Sequence, residues 1–253
     1  MNNDLQKASF WKRMSAYLFD IIILGVLVTL IAFALSALLG YDAHSKALTD
    51  AYAKYEQQYG VTFEITQAEF EAMSPEDMEN YNNAYAALIA DDGAIYAYNM
   101  VMNLTLVILS ISILLGYLIL EFAIPLWLGN GQTLGKKIFG ICLMRTDSVK
   151  ITTVQLFIRT VLGKYTIGTM VPVFILIMLY FNIVGLFGTV ILMGLAIGQV
   201  LCLAVSANRS AIHDLLAGTT VVDYASQRIF RTTEDLIAYK KMIHAEEVSR
   251  KKY

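Results

Sequence analysis

Four apolar stretches decide most of what this chain can fold into, because a helix needs about 20 apolar residues to cross ~30 Å of hydrocarbon. The first is Tyr17 to Leu39, with one charge, Asp20, inside it. Trp11, Lys12 and Arg13 precede it, an aromatic and basic flank of the kind that anchors a helix at the interface. The second runs from about Met100 to Leu128, with Glu121 and Pro125 near its end. The uncharged run from Tyr165 to Ala207 is long enough for two crossings, so it is expected to form a hairpin of two helices. Its turn is expected near Asn182 to Gly188, where Asn and two Gly break the pattern.

Composition agrees. Of the 253 residues, 57% are hydrophobic and 16% charged, and the mean hydropathy is +0.56. Soluble domains carry about a quarter charged residues. An integral membrane protein is therefore expected, and a cytosolic enzyme, a nucleic-acid binder and a disordered chain are set aside. The two cysteines, Cys142 and Cys202, are too few for a disulfide framework and read as free thiols. The first stretch has some marks of a cleaved signal peptide, namely a basic start and the small-residue step Ala32-Phe33-Ala34. Its apolar core is too long for one, and a carboxylate inside such a core would be out of place.

Four crossings put both termini on one side, and the basic residues choose the side. The tail before the first span holds 3 Lys/Arg, residues 129–164 hold 6, and the chain from 208 onward holds 8. Only Lys46 and Lys54 fall on the other face. By the positive-inside rule the basic face is cytoplasmic, so a multi-pass membrane protein with both termini inside is expected. The organisation expected is residues 1–40 as N-terminus and first span, 41–99 as an exported loop, 100–223 as the main membrane domain with an interfacial segment at 131–164, and 224–253 as a cytoplasmic tail helix.

The exported loop carries 11 Asp/Glu against 2 Lys. Ser74-Pro75-Glu76-Asp77 combines an N-cap serine, a proline at the first helical position and carboxylates at the positive helix end. Thr66-Gln67-Ala68-Glu69 fits a capping box before Phe70 and Met73. Two or three short helices follow from these signals, with Tyr52, Tyr55, Phe63, Phe70, Tyr81 and Tyr85 available for a small core. The acids either keep the loop soluble or gather cations at an entrance. In the tail, Thr232 or Thr233 caps a helix that places Leu236, Tyr239, Ile243 and Glu247 on one face. Lys240, Lys241, Arg250, Lys251 and Lys252 supply charge late in it. Such a helix rests on anionic lipid or stands in solvent.

Enzyme constellations are missing. His44, His213 and His244 lie in different segments, and no His/Cys cluster has metal-ligand spacing. No enzyme activity, metal or cofactor is expected. Gly129-Asn130-Gly131-Gln132-Thr133-Leu134-Gly135-Lys136-Lys137 invites a phosphate-loop reading, but Asn130 and Lys137 stand where that motif needs Gly and Ser or Thr. What remains is charge at the inner ends of the spans. Arg13 and Asp20 lie seven residues apart, nearly two helical turns, and so face the same neighbours. Glu121 lies four residues before Pro125, which leaves the carbonyl of residue 121 without its helical donor. Arg159 interrupts the apolar run Val154 to Leu162, and a capping box of Thr152 with Gln155 opens that run. His213 and Asp214 follow the fourth span. A carboxylate at membrane depth costs roughly 2.5–3.5 kcal/mol and so turns inward to a partner. Either these charges form a buried ion-pair network that fixes helix packing, or some of them line a path for an ion or proton. Gly194 and Gly198 form a GxxxG step in the fourth span, which suits close helix approach within the bundle or in a homo-oligomer.

Three segments resemble the RDD family of bacterial membrane proteins. Phe10-Trp11-Lys12-Arg13-Met14-Ser15-Ala16-Tyr17-Leu18-Phe19-Asp20 is similar to its opening, with the arginine at the head of the first helix and an aspartate inside it. Gly131-Gln132-Thr133-Leu134-Gly135-Lys136-Lys137-Ile138-Phe139-Gly140 resembles the loop after the second helix, and Glu121 the acid that often precedes it. Ala211-Ile212-His213-Asp214-Leu215-Leu216-Ala217-Gly218-Thr219 resembles the closing motif, with Asp214 as the second aspartate. One departure is Leu134, where the family often carries proline. The resemblance covers residues 8–40 and 100–223. It implies a polytopic inner-membrane domain associated with transport, with no general substrate or mechanism.

The fold expected is thus an all-α bundle of four membrane helices with an exported helical loop and a cytoplasmic C-terminal helix. Transport of a cation, proton or small solute is one functional expectation, with Asp20 and Glu121 as candidate carboxylates, Arg13 as the charge that biases their protonation, and Gly135, Lys136, Arg159, His213 and Asp214 as further family-signature or transport residues. Partners in that case are membrane lipid, the ion or solute, and a second copy. A non-transporting scaffold or assembly subunit, held by a structural ion-pair network, is the other.

Overall fold

The computed structural model describes residues 6–206 and 210–251. Lys252, one of the charges assigned to the tail, lies outside them. Four helical runs are long and apolar enough to cross a membrane: Phe10–Leu39, Asp92–Leu128, Thr153–Tyr180 and Gly185–Cys202. Many of their apolar side chains point outward while Asp20, Glu121 and Arg159 are enclosed. Phe33 is 71% exposed and Leu186 81%, yet Arg159 is 2% exposed. That inversion of the soluble pattern is what a hydrocarbon solvent requires.

The turn between the last two runs falls where the sequence places it. Asn182 takes φ 55° and Gly185 φ 46° between α9 (Val171–Tyr180) and α10 (Gly185–Val205). The third run starts earlier than expected. Thr152 caps Thr153 with the capping-box partner Gln155, and the helix continues from there without a break through Arg159. Residues 153–164 are therefore continuous with the third apolar helix.

The chain divides into two compact units, residues 29–112 and the remainder. In the first, α2 (Tyr41–Tyr59), α3 (Gln67–Glu71) and α4 (Pro75–Ala90) carry the caps read from the sequence, Thr66 with Glu69 and Ser74 with Pro75. Tyr52, Phe63, Tyr81 and Phe70 form a chain of edge-to-face rings with centroids 5.4–5.7 Å apart, the arrangement favoured by the ring quadrupole.

Asp91, just before α5 (Asp92–Tyr117), fastens this unit. Its carboxylate accepts from the Tyr55 hydroxyl (2.9 Å), the Gly93 and Ala94 N–H groups and Lys54. The Tyr55 bond, then the Ala94 amide and Lys54, hold the carboxyl down to about 2. Because the folded value is depressed, its stabilising effect is complete above the ordinary Asp range near ~3.9 and is lost as pH falls through about 2. A carbon-detected NMR titration should give Asp91 a midpoint near 2; an ordinary midpoint near ~4 would remove it from this role.

The second unit departs from the all-α expectation. β1 (Ile141–Arg145) pairs antiparallel with β2 (Thr219–Asp223), Ile141 opposite Asp223 and Arg145 opposite Thr219. Strand alternation sends Ile141 and Leu143 into one cluster with Ala16, Leu156 and Val221, and Cys142 and Met144 into another with Val222. Both cysteines are free, and burial, then Asp223, pushes the Cys142 thiol up to about 12. The chain before α1 (Phe10–Leu39) joins this small sheet: Lys7 bridges Val222, and Lys12 pairs with Asp223 at 2.5 Å. α12 (Thr233–Lys251) follows, with Leu236 buried and Tyr239 and Ile243 half-buried on the face read from the sequence.

Candidate functional site

Asp20 sits on the inward face of α1 with Ala16, one turn earlier; the two are 4% and 2% exposed. The first turn of α7 (Leu134–Ile138) docks against that face. Thr133 donates its hydroxyl to Asp20 Oδ2 at 2.5 Å, and the Gly135 N–H donates to Oδ1 at 2.8 Å. Lys136 Nζ lies 3.9 Å from the same carboxylate. Only glycine fits at 135, since a Cβ there would stand 2.4 Å from the Ala16 carbonyl oxygen. The segment that resembles a phosphate loop thus wraps an internal anion. Leu134 is the first helical residue of α7, the position where proline is most at home, so the departure from the family pattern leaves this turn intact.

Glu121 lies in a π-helical segment, Leu118–Ala123, between α5 and α6 (Ile124–Leu128). Its carboxylate meets three cations: Lys164, Arg159 at 3.5 Å and Lys136 at 3.6 Å. The carbonyl of Glu121, which Pro125 cannot serve, accepts from the Thr160 hydroxyl at 3.0 Å. A second π-helical segment, Ile158–Met170, supplies Arg159, Thr160 and Lys164 and lies between α8 (Thr153–Phe157) and α9. In an α-helix residues five apart point about 140° away from each other. In a π-helix, bonded i to i+5, they sit close to one turn apart and share a side. Arg159 and Lys164 both reach Glu121 for that reason.

Asp214 completes the cluster from α11 (Ile212–Ala217). Arg159 Nε donates to it at 2.7 Å, Thr219 Oγ1 at 3.1 Å, and His213 Nε2 lies 3.7 Å away. Burial alone would raise this carboxyl, but the Arg159 guanidinium holds it well below the ordinary range. Burial keeps His213 neutral, with its value pushed down to about 3. α11 approaches closely because Gly163 has no side chain: a Cβ there would lie 2.4 Å from that of His213.

Six of the eight residues singled out for transport, Asp20, Glu121, Gly135, Lys136, Arg159 and Asp214, meet in this cluster, with His213 at its edge. Arg13 serves elsewhere. Its guanidinium donates to the Val221 carbonyl at 2.5 Å and fastens α1 to β2, while Lys136 Nζ lies within ion-pair distance of Asp20. Gly194 and Gly198 have open space where a Cβ would stand, so among the described residues no neighbour approaches them closely. The cluster also holds Lys164, Thr133 and Thr160, which sequence reasoning missed. Lys164 escaped because a spacing of five from Arg159 fits no α-helical face.

Three carboxylates, Asp20, Glu121 and Asp214, and three basic side chains, Lys136, Arg159 and Lys164, therefore meet in one buried cluster. Among the described residues no group of His, Cys, Asp and Glu is arranged to hold a metal ion. This defines a polytopic helical membrane protein organised around a buried ion-pair network. The chain belongs to the RDD family, whose model matches residues 7–218. No curated protein and no solved structure matches the chain.

Proposed function

We propose that this protein carries a cation or proton across the bacterial plasma membrane, with Glu121 as the exchanging carboxylate. One observation carries the reading: Glu121 is buried between Lys136, Lys164 and Arg159. Arginine stays charged, whereas a lysine in a low-dielectric site can release its proton. If Lys164 gives up one proton as one monovalent cation binds Glu121, the cluster's charge is unchanged. Asp20 and Asp214 are fixed by Thr133, Gly135, Arg159 and Thr219 and serve as supports. The alternative, a non-transporting scaffold, is favoured by the complete balance of charge, since no group in the cluster is left to pair. Arginine and lysine lie mostly on the face holding both termini, which supports termini on the inside.

Proteoliposomes separate the two readings. Wild-type protein should show cation uptake driven by a pH step, screened over monovalent and divalent ions. Glu121→Gln together with Lys164→Gln keeps the balance and should retain the fold while uptake falls at least tenfold. A cysteine at Lys150, reached by an impermeant maleimide only in inverted vesicles, fixes the orientation. Wild-type vesicles that move no ion under any gradient would leave the scaffold reading standing.

A further inference from the structure

The 13-residue π-helical segment 158–170 is long for a conformation that is mostly met as a single-turn bulge. Something must hold it, because each wide turn competes with the tighter α register of the same residues. Two threonines do so visibly. Thr166 donates its hydroxyl to the Val161 carbonyl at 2.9 Å, and Thr169 donates to the Lys164 carbonyl at 3.0 Å. Both bonds reach back five residues, whereas threonines in α-helices bond three or four residues back. The backbone agrees at the end of the segment, where the Val171 N–H bonds to the Thr166 carbonyl.

The neighbouring helix adds a third hydroxyl. Tyr117 and Thr169 are 2.9 Å apart, and a threonine hydroxyl has one proton. That proton is already given to the Lys164 carbonyl, so Tyr117 must be the donor. The chain runs Tyr117 to Thr169 to the backbone of Lys164, the residue whose ammonium meets Glu121.

We propose that Thr166 and Thr169 are positioning residues for the Glu121 site: their hydroxyls hold the wide register that keeps Lys164 on the same side as Arg159. The inference rests on the reading of Glu121 and Lys164 as the exchanging pair. Relaxation of this segment to the α register would turn Lys164 away from Arg159 and weaken its contact with Glu121. The threonines touch neither ion nor proton; they act through the backbone of Lys164.

Valine keeps the branched shape of threonine and lacks the hydroxyl, so Thr166→Val and Thr169→Val test the bonds alone. The first readout is the nitrogen-15 signal of the Lys164 ammonium in lipid, which reports its pairing without any transport. The second is the pH profile of uptake. The double valine variant should shift the Lys164 signal toward that of an unpaired amine or ammonium and move the uptake midpoint by about one pH unit. Thr166→Ser with Thr169→Ser should restore both. If the double variant does not fold, Thr169→Val alone, which cuts the chain from Tyr117, should show the same shifts in smaller measure. An unchanged Lys164 signal in folded valine variants overturns the positioning role. Absence of wild-type uptake overturns the exchange reading alone, because the Lys164 signal then still judges the register.

Discussion

Arg159→Gln should destabilise the protein more than any other single substitution in the cluster. The guanidinium bonds Asp214 through Nε and Glu121 through Nη1, and the side chain is 2% exposed. Gln cannot replace a charge, so Asp214 is left buried beside a neutral His213, and Glu121 keeps only its lysines. Breaking a buried pair from one side costs ~3–5 kcal/mol, since the surviving charge remains out of water. Thermal melting in lipid nanodiscs should show early unfolding, and adding Asp214→Asn should recover part of the loss. A single variant that melts like the wild type would show that the pair contributes nothing to the fold.

The second large effect is expected at Gly135. An alanine Cβ would stand 2.4 Å from the Ala16 carbonyl oxygen and 2.9 Å from Asp20 Oδ1. The first neighbour is helix backbone and cannot move aside without shifting α1. Overpacking of this kind costs ~1–3 kcal/mol, and the displaced turn also takes the Gly135 N–H away from Asp20. Gly194→Ala is the control, because it meets open space and improves helix propensity by up to ~1 kcal/mol. The Gly135 variant should melt well below the Gly194 variant; equal melting of the two would dismiss the close approach of α7 to α1.

The apolar helices were legible because twenty apolar residues in a row have few alternatives, and the turn at Asn182 because Asn and Gly accept positive φ at little cost. The caps at Thr66, Ser74 and Thr152 were legible for a local reason: the residues that make each one lie within three positions of each other. The strands were missed. Ile141–Arg145 and Thr219–Asp223 are short runs at the borders of long apolar segments, and their pairing joins residues about eighty positions apart. The signals present were the β-branched run Thr219-Thr220-Val221-Val222 and the glycines Gly140 and Gly218 before each strand, both at positive φ. Most of the cluster was readable as a list of charges, because each is costly in an apolar setting. Which charge meets which was not, since Lys164 reaches Glu121 only through a helical register that α periodicity hides.

The closure of the N-terminal segment onto β2 sets a clock on biosynthesis. Lys12 waits for Asp223, 211 residues later, and Arg13 for Val221, 208 residues later. Asp20 meets Thr133 after 113 residues. At roughly 5–20 residues per second, the ribosome delivers Thr133 about 6–23 s after Asp20 and the last strand about 10–40 s after Arg13. During that interval Asp20 has none of the three partners, Thr133, Gly135 and Lys136, that it meets in the folded protein.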